Sequence, residues 1–293
     1  DEIDFAYLNR PHIAIKYIDF IKKNTNIKVI YYGHDLHFLR EYREYELTGD
    51  IQKKRESDYW KSIEFSLMEK AAVSYYPSYV EEEAIHAIHP EYKIRAITAY
   101  VYEKFLENID KDFEKREGLL FVGGFAHPPN ADAVLWFAKE IFPLIRQKLD
   151  VNFYVVGSKV TDEIKALEQP GSGIIVKGFV TEEELASLYA TSRIVVVPLR
   201  YGAGVKGKVV EAVYNGSAIV TTSIGSEGIP EAERVMKVAD GPEAFADEVV
   251  KMYQDPAECR RMCEETQKYI REYFSVEAAW KVIEGDFTPE KKR

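Results

Sequence analysis

Cysteine, long apolar runs and net positive charge are all scarce in this chain, and each scarcity removes a class of protein. Only two cysteines, Cys259 and Cys263, occur in 293 residues, so a disulfide framework cannot be the basis of the fold. They stand one helical turn apart and could offer two metal ligands, but no histidine or further cysteine lies near enough in sequence to complete a tetrahedral set. Reduced thiols on a helix surface are the expectation. No apolar run reaches the roughly 20 residues that a membrane-spanning helix needs, and no signal peptide opens the chain. A soluble, cytoplasmic protein is therefore expected. With 49 acidic residues against 39 basic ones and a net charge of −10, nucleic acid is an unsuitable partner, because phosphate-backbone affinity needs a basic surface. The clusters Lys22-Lys23 and Lys53-Lys54-Arg55 leave two uses open, solvated helix faces or a peripheral contact with anionic lipid at the inner face of a membrane.

What the chain does contain is an alternation of strand and helix patterns, long enough for two domains with separate cores. Ile3–Leu8, Ile27–Tyr32, Ala72–Tyr76 and Lys93–Thr98 read as strands, with helical patterns at His12–Lys23, about Arg40 to Lys70, and Val80–Ile88. The charged stretch from Tyr102 to Glu117 reads as a linker. Strand patterns resume at Leu119–Val122, Asn152–Val156, Ile174–Val176, Ile194–Val197, Ala218–Thr221 and Val235–Val238. Between and after them lie helical patterns at Ala131–Lys148, Glu182–Ala190, Lys208–Tyr214, Pro242–Tyr253, Ala257–Phe274 and Val276 to about Ile283. This order predicts an α/β protein of parallel sheets with helices on both faces, divided at 1–101, 102–117, 118–274 and 275–293. The first strand candidate begins almost at Asp1, so an upstream segment of the same polypeptide is expected.

The most informative segment is Gly202 to Gly216. Gly202, Gly204 and Gly207 follow the β-branched run Ile194–Val197 and precede a helix with Val209, Val210, Ala212 and Val213 on its apolar side. A strand, a glycine loop and a helix N-terminus together present backbone N–H groups and a positive dipole end to an anion. Lys206 and Lys208 add cations where a helix start ordinarily prefers acidic residues, which points to a bound anion. Glu211 is placed to accept hydrogen bonds from ribose hydroxyls. The plainer reading of the same residues is a βα loop with a Lys208–Glu211 surface bridge.

The run from Pro198 to Ile229 resembles the donor-site segment of retaining GT-B glycosyltransferases, of the group 1 or family 4 type found in bacterial polysaccharide biosynthesis. The resemblance implies two Rossmann-like domains facing a cleft, the first of them truncated, and a terminal helix crossing back onto the first domain. It implies that Glu211 holds the nucleotide ribose. The family's first glutamate, which contacts the donor sugar, falls on Ala203, a change shared with sequences that read G-A-G-x-K-x-K-x-x-E. Gly123, Gly124 and Asn130 match a loop near the diphosphate, where many family members carry Arg and Lys. Arg200, Lys206 and Lys208 are then candidates to supply that charge, with Gly202, Gly204 and Val205 completing the loop. Lys177, Gly178, Phe179 and Val180 resemble the strand end whose backbone holds the base. His34 matches the family's histidine at the reacting centre, with Asp35, His37 and Arg40 on the acceptor side. Metal binding by His34, Asp35 and His37 is the rival use of those residues. Ser78, Glu81 and Glu82 resemble a serine-then-glutamate segment, or equally a helix N-cap with an acidic first turn.

These matches imply transfer of a sugar from a nucleotide-diphosphate sugar to a hydroxyl of a glycan or lipid-linked acceptor, with retention and without metal or other cofactor. His34 and Lys208 are the catalytic candidates. A same-face route, with a phosphate oxygen taking the acceptor proton, suits a loop in which Ala203 replaces the obvious carboxylate. Three alternatives stand beside it: a catalytically silent nucleotide-sugar-binding or docking module, a sugar-nucleotide epimerase, and a glycogen-type phosphorylase on the same fold.

Overall fold

The computed structural model describes residues 3–202 and 204–287. The first domain opens with β1 (Phe5–Asn9), α1 (Pro11–Asn24), β2 (Lys28–Tyr32), α2 (His37–Thr48) and α3 (Ile51–Lys70), and closes with β3 (Val73–Tyr76), α4 (Tyr79–His86) and β4 (Ile94–Ala96). Its strands form one sheet in the order β1-β2-β3-β4, and every pairing is parallel.

The second domain begins with β5 (Leu119–Val122), α5 (Pro128–Trp136), α6 (Phe142–Arg146), β6 (Phe153–Val156), α7 (Asp162–Lys165), β7 (Ile174–Gly178) and α8 (Glu182–Thr191). It continues through β8 (Ile194–Val197), α9 (Gly207–Tyr214), β9 (Ala218–Thr221), α10 (Ser223–Ser226) and β10 (Lys237–Val238) to α11 (Pro242–Tyr253) and α12 (Pro256–Tyr273). Its parallel sheet runs β10-β9-β8-β5-β6-β7. Strand order therefore reverses between β5 and β8, which makes the crevice beyond their carboxyl ends the natural ligand site of an open α/β sheet. All four residues of β8 are buried, as expected of a strand covered by helices on both faces.

The last helix, α13 (Val276–Ile283), leaves the second domain and packs on the first. Val282, Ile283 and Phe287 close over Ile30, Tyr32, Val73 and Tyr75. Beyond the helix, the buried Asp286 carboxylate accepts from Tyr75 Oη at 2.6 Å and pairs with Lys93 Nζ at 2.6 Å.

Several elements differ from the sequence reading. The Arg40–Lys70 pattern is two helices, because Gly49 takes φ 73° and Asp50 caps the next helix through Gln52 N. The Ala131–Lys148 pattern is broken by a π-helical turn at Phe137–Ile141. Pro143 lacks the N–H that a regular helix would direct to Lys139, and the turn widens just before it. The strand expected at Val235–Val238 shrinks to Lys237–Val238, since a 3₁₀ turn at Ala232–Arg234 runs into Val235. The 102–117 stretch is pinned rather than loose: Phe113 and Arg116 are buried, and Tyr102 stacks on Tyr214 with ring centroids 4.2 Å apart. Cys259 and Cys263 are not surface thiols. Both lie in the core of the second domain, and burial raises both thiol pKa values.

Candidate functional site

The reversal between β5 and β8 places a cavity of about 360 Å³ beyond the carboxyl ends of β5 and β6. Gly123 and Gly124 from the β5 end, Asn130 from α5, Phe179 after β7, and Lys208 and Glu211 from α9 all line it. These six come from four separate stretches of sequence. The wall is tight: a Cβ on Gly123 would stand 3.1 Å from Lys208 Cε.

Asn130 ties the wall together. Its side-chain amide donates to Gly124 O at 2.8 Å, and its Oδ1 accepts from Lys208 Nζ at 2.7 Å. Lys208 is thus held at the cavity by a neutral partner, and no Lys208–Glu211 bridge forms. Burial lowers its pKa to about 8, and the Lys206 charge pushes the same way. Burial raises the Glu211 carboxyl, while Lys208 acts in the opposite sense. A floor with one poorly compensated ammonium, glycine backbone and the first turn of α9 can take up an oxyanion.

The structure separates this group from other residues that the sequence placed beside it. Arg200 forms a two-pronged pair with Asp132 and lies over the Trp136 ring, 5.6 Å from its centroid, outside the cavity wall. Lys206 turns away from the cavity, donating to Gly204 O and lying 3.8 Å from Glu227. Burial pushes its pKa down. Gly202 O accepts from Arg43 of the first domain at 2.8 Å. Val205 lines a different, interdomain cavity with Ser78 and Gly228. The Lys177 side chain is exposed, and Gly178 accepts from Gly157 N at 2.8 Å. Ala203 lies outside the described residues.

Gly204 is where the two domains meet. A Cβ there would stand 3.2 Å from Glu81 Oε1, 3.4 Å from Asp35 Cβ and 3.6 Å from His34 O. Glu81 is buried, with Oε2 against the Ser78 hydroxyl and Oε1 without a partner among the described residues. Ser78 occupies the N-cap position of α4, yet it makes no capping hydrogen bond there. Burial raises the Glu81 pKa to about 7. Glu82 serves the fold by accepting from Ala96 N at 2.9 Å.

On the first domain, Gly33 is required because a Cβ there would stand 2.2 Å from the Tyr76 ring. His34 then adopts φ 70°, unusual for a residue with a side chain. It lines a second cavity of about 440 Å³, and burial lowers its pKa. Asp35, His37 and Arg40 do not join it there. The Arg40 guanidinium pairs with Asp35 and Glu41. His37 Nδ1 lies 3.2 Å from Glu64 Oε1, and that buried carboxylate also accepts from His37 N and Phe38 N at the start of α2. Burial alone would lower the His37 pKa, but the bond to Glu64 carries it above its ordinary value. This network fixes α2 and its supporting helix rather than presenting three ligands to one ion. No metal-holding group of three histidine, cysteine or carboxylate side chains occurs among the described residues. Lys53 is likewise no free membrane contact, since it sits among Glu41, Glu44 and Glu56.

Val180, from the segment matched to the base-holding strand end, also lines the first cavity, as do Gly157, Ser158 and Leu185, which were not foreseen. Gly157 had a visible signal: it ends the strand pattern Asn152–Val156, as Gly123 ends Leu119–Val122. A Cβ on Gly157 would lie 1.9 Å from Gly123 O, so the two strand ends close together only because neither carries a side chain.

Comparison with known proteins bears on this arrangement. Residues 116–255 match the family Glycosyl transferases group 1. Over 116 residues the chain is 32% identical to the "Uncharacterized 44.6 kDa protein in cps region" of Klebsiella pneumoniae, covering 38% of this chain and 30% of that protein. The matched stretch is therefore under a third of that curated relative's length. Sucrose-phosphate synthase from Thermosynechococcus elongatus superposes with a TM-score of 0.76 at 16% identity, over 97% of this chain and 73% of that one. Anabaena HepE in complex with UDP gives 0.70 at 13% identity, over 96% and 78%. The pneumococcal O-GlcNAc transferase GtfA in complex with UDP and GlcNAc gives 0.65 at 14% identity, over 96% and 56%. The expected GT-B architecture of parallel α/β sheets is the fold of this chain. No helix among the described residues is long and apolar enough to cross a membrane.

Proposed function

We propose that this chain, which carries a Glycosyl transferases group 1 domain at residues 116–255 on a GT-B fold, moves a sugar from a nucleotide-diphosphate sugar to a hydroxyl acceptor. The acceptor would be a glycan or lipid-linked glycan of a surface polysaccharide, the anomeric configuration would be retained, and the reaction would proceed in the cytoplasm. One observation carries the reading: Gly123, Gly124, Gly157, Lys208 and Glu211 converge on one cavity at the strand-order reversal. The glycine backbone and the first turn of α9 suit a diphosphate, and Glu211 suits a ribose hydroxyl pair.

In this proposal the bond from the anomeric carbon to the diphosphate breaks as the acceptor oxygen bonds to that carbon on the same face. The acceptor proton passes to the leaving phosphate oxygen, and the growing negative charge is met by Lys208 and the α9 amides. That stabilisation is the reason to propose a metal-independent reaction. Lys206 supports the loop from behind through Gly204 O. His34, on the facing domain, stands at the acceptor side.

Calorimetric titration of UDP, GDP and TDP tests the donor site, using the chain and a Lys208→Ala, Glu211→Ala double variant. One nucleotide should bind, and the double variant should bind it at least about tenfold more weakly, the loss of a charge-assisted contact of ~1.5–3 kcal/mol. Binding of none, or equal binding by the variant, overturns the reading. A second reading, a silent nucleotide-sugar-binding module, is favoured by Ala203 standing where a donor-sugar glutamate is expected. Nucleotide binding without product from any sugar conjugate and acceptor pair would select it.

A further inference from the structure

The second cavity, at the carboxyl ends of the first domain's strands, is built unlike the first. Its wall includes four tyrosines, Tyr7, Tyr32, Tyr75 and Tyr100, together with Phe287 and His34. No aspartate, glutamate, lysine or arginine lines it among the described residues. Its volume of about 440 Å³ lies within the roughly 300–1,000 Å³ of small-molecule sites.

Two polar atoms in that wall have no hydrogen-bond partner among the described residues. His34 Nε2 and Tyr32 Oη are both buried and unbonded, and leaving such a group unpaired costs about 1–3 kcal/mol. A ligand hydroxyl that reached either atom would satisfy it. The imidazole, with its pKa lowered by burial, is neutral at physiological pH and can donate from one nitrogen and accept at the other. Arg10, which also lowers the His34 pKa, is exposed and stands outside the wall.

The cavity also borders the diphosphate grip. Tyr100 is packed against the first residue of α9, so that a Cβ on Gly207 would stand 2.6 Å from Tyr100 Oη. Lys208, in the first cavity, is the next residue. Tyr100 therefore links the second cavity to the start of the helix that carries Lys208.

We infer that the second cavity receives an uncharged sugar ring as the reacting unit of the acceptor, and that phosphorylated or carboxylated sugars are excluded from it. A pyranose offers apolar C–H faces to the tyrosine and phenylalanine rings and hydroxyls to His34 and Tyr32. A phosphate there would lose its water without gaining a cation. The acceptor assignment rests on the glycosyl-transfer reading; the ligand chemistry of the cavity does not.

The test is saturation-transfer NMR on the whole chain with methyl α-D-glucopyranoside, methyl α-D-mannopyranoside, methyl β-D-galactopyranoside and glucose 6-phosphate, each with and without saturating UDP. Tyr7→Ala and His34→Ala variants are run alongside; Tyr7 is 55% exposed, so its loss leaves the fold in place. At least one neutral glycoside should show transfer to its ring protons, falling at least fivefold in both variants, and glucose 6-phosphate should show none. No transfer to any neutral glycoside, equal transfer to glucose 6-phosphate, or a signal unchanged in the variants overturns the inference. UDP binding without glycoside binding sinks the inference and spares the donor reading. Glycoside binding without any nucleotide binding does the reverse.

Discussion

Lys208 is the residue whose protonation should be visible in solution. Its folded pKa of about 8 lies below the ordinary lysine value of roughly 10.4 because of burial. Between those values the unfolded chain binds more protons, so the lysine's contribution makes the unliganded protein more stable as pH rises from about 8 to about 10. A diphosphate beside Lys208 favours the ammonium form. UDP binding at pH 8.5 should therefore take up most of a proton, seen as a buffer-dependent calorimetric enthalpy, and Lys208→Met should abolish the uptake while weakening binding. A buffer-independent enthalpy in the unsubstituted protein would remove Lys208 from the diphosphate contact. Glu81 titrates in the opposite sense. Burial raises its folded pKa to about 7, so the folded state binds more protons between the ordinary carboxylate value and pH 7, and stability falls as pH rises through that window. Glu81→Gln keeps a partner for the Ser78 hydroxyl, removes the slope, and should stabilise the chain at pH 8 by about 1–3 kcal/mol in urea unfolding. An unchanged slope would show that Glu81 is already ionised in the folded chain. The contrast among the basic residues marks the limit of sequence reading. Lys206 and Lys208 are two residues apart and look equivalent, yet one faces Gly204 O and the other Asn130. Arg200 is spent on Asp132, and His37 on Glu64. Sequence displays a charge but not its partner, which for Lys208 lies 78 residues away.

Elements were legible where their cause is local. The runs Leu119–Val122, Ile194–Val197 and Ala218–Thr221 are strands with the bounds that their apolar, β-rich composition marks. Breaks within helices were not legible, because apolar periodicity persists through both the Gly49–Asp50 corner and the π turn before Pro143. The donor cavity is likewise a property of strand ends brought together by the sheet. Gly157 shows this most clearly, since its close neighbour is the backbone of Gly123, 34 positions earlier in the chain. In Gly157→Ala the new methyl must displace Gly123 O, which lies 1.9 Å from its ideal place, and neither strand end can give way cheaply. A loss of about 1–3 kcal/mol in stability is expected, together with loss of nucleotide binding. Gly124→Ala is the control. Its methyl would meet only Ser158 Oγ at 3.4 Å, ordinary contact distance, so its melting temperature should match the unsubstituted chain. Equal melting temperatures for the two variants would show that the β5 and β6 ends can separate freely.

Across the whole molecule, the two domains are held in register by contacts that neither domain can make alone. Arg43 of α2 reaches Gly202 O and Glu227, spanning the cleft at the glycine loop. At the far side the chain itself is the tie. After α12 it crosses back, and Asp286 gathers Tyr75, Lys93 and Arg95 from β3 and the β4 region. Burial alone would raise the Asp286 pKa, but Lys93, Tyr75 and Arg95 hold it below the ordinary aspartate value. Its contribution is therefore full above the unfolded value of roughly 3.9 and disappears as pH falls through the folded value. Asp286→Ala leaves the Tyr75 hydroxyl and two cations without their shared acceptor, at a cost of about 2–4 kcal/mol near neutral pH. The tryptophans report where that cost falls, because Trp60 lies in α3, Trp136 in α5 and Trp280 in α13. In urea, Trp60 and Trp280 fluorescence, each read in a variant lacking the other two tryptophans, should shift to lower midpoints in Asp286→Ala. Trp136 should hold its midpoint, since the second domain's core of Phe121, Phe153 and Val196 is untouched. A common shift of all three would mean instead that the strap makes the two domains unfold as one cooperative unit.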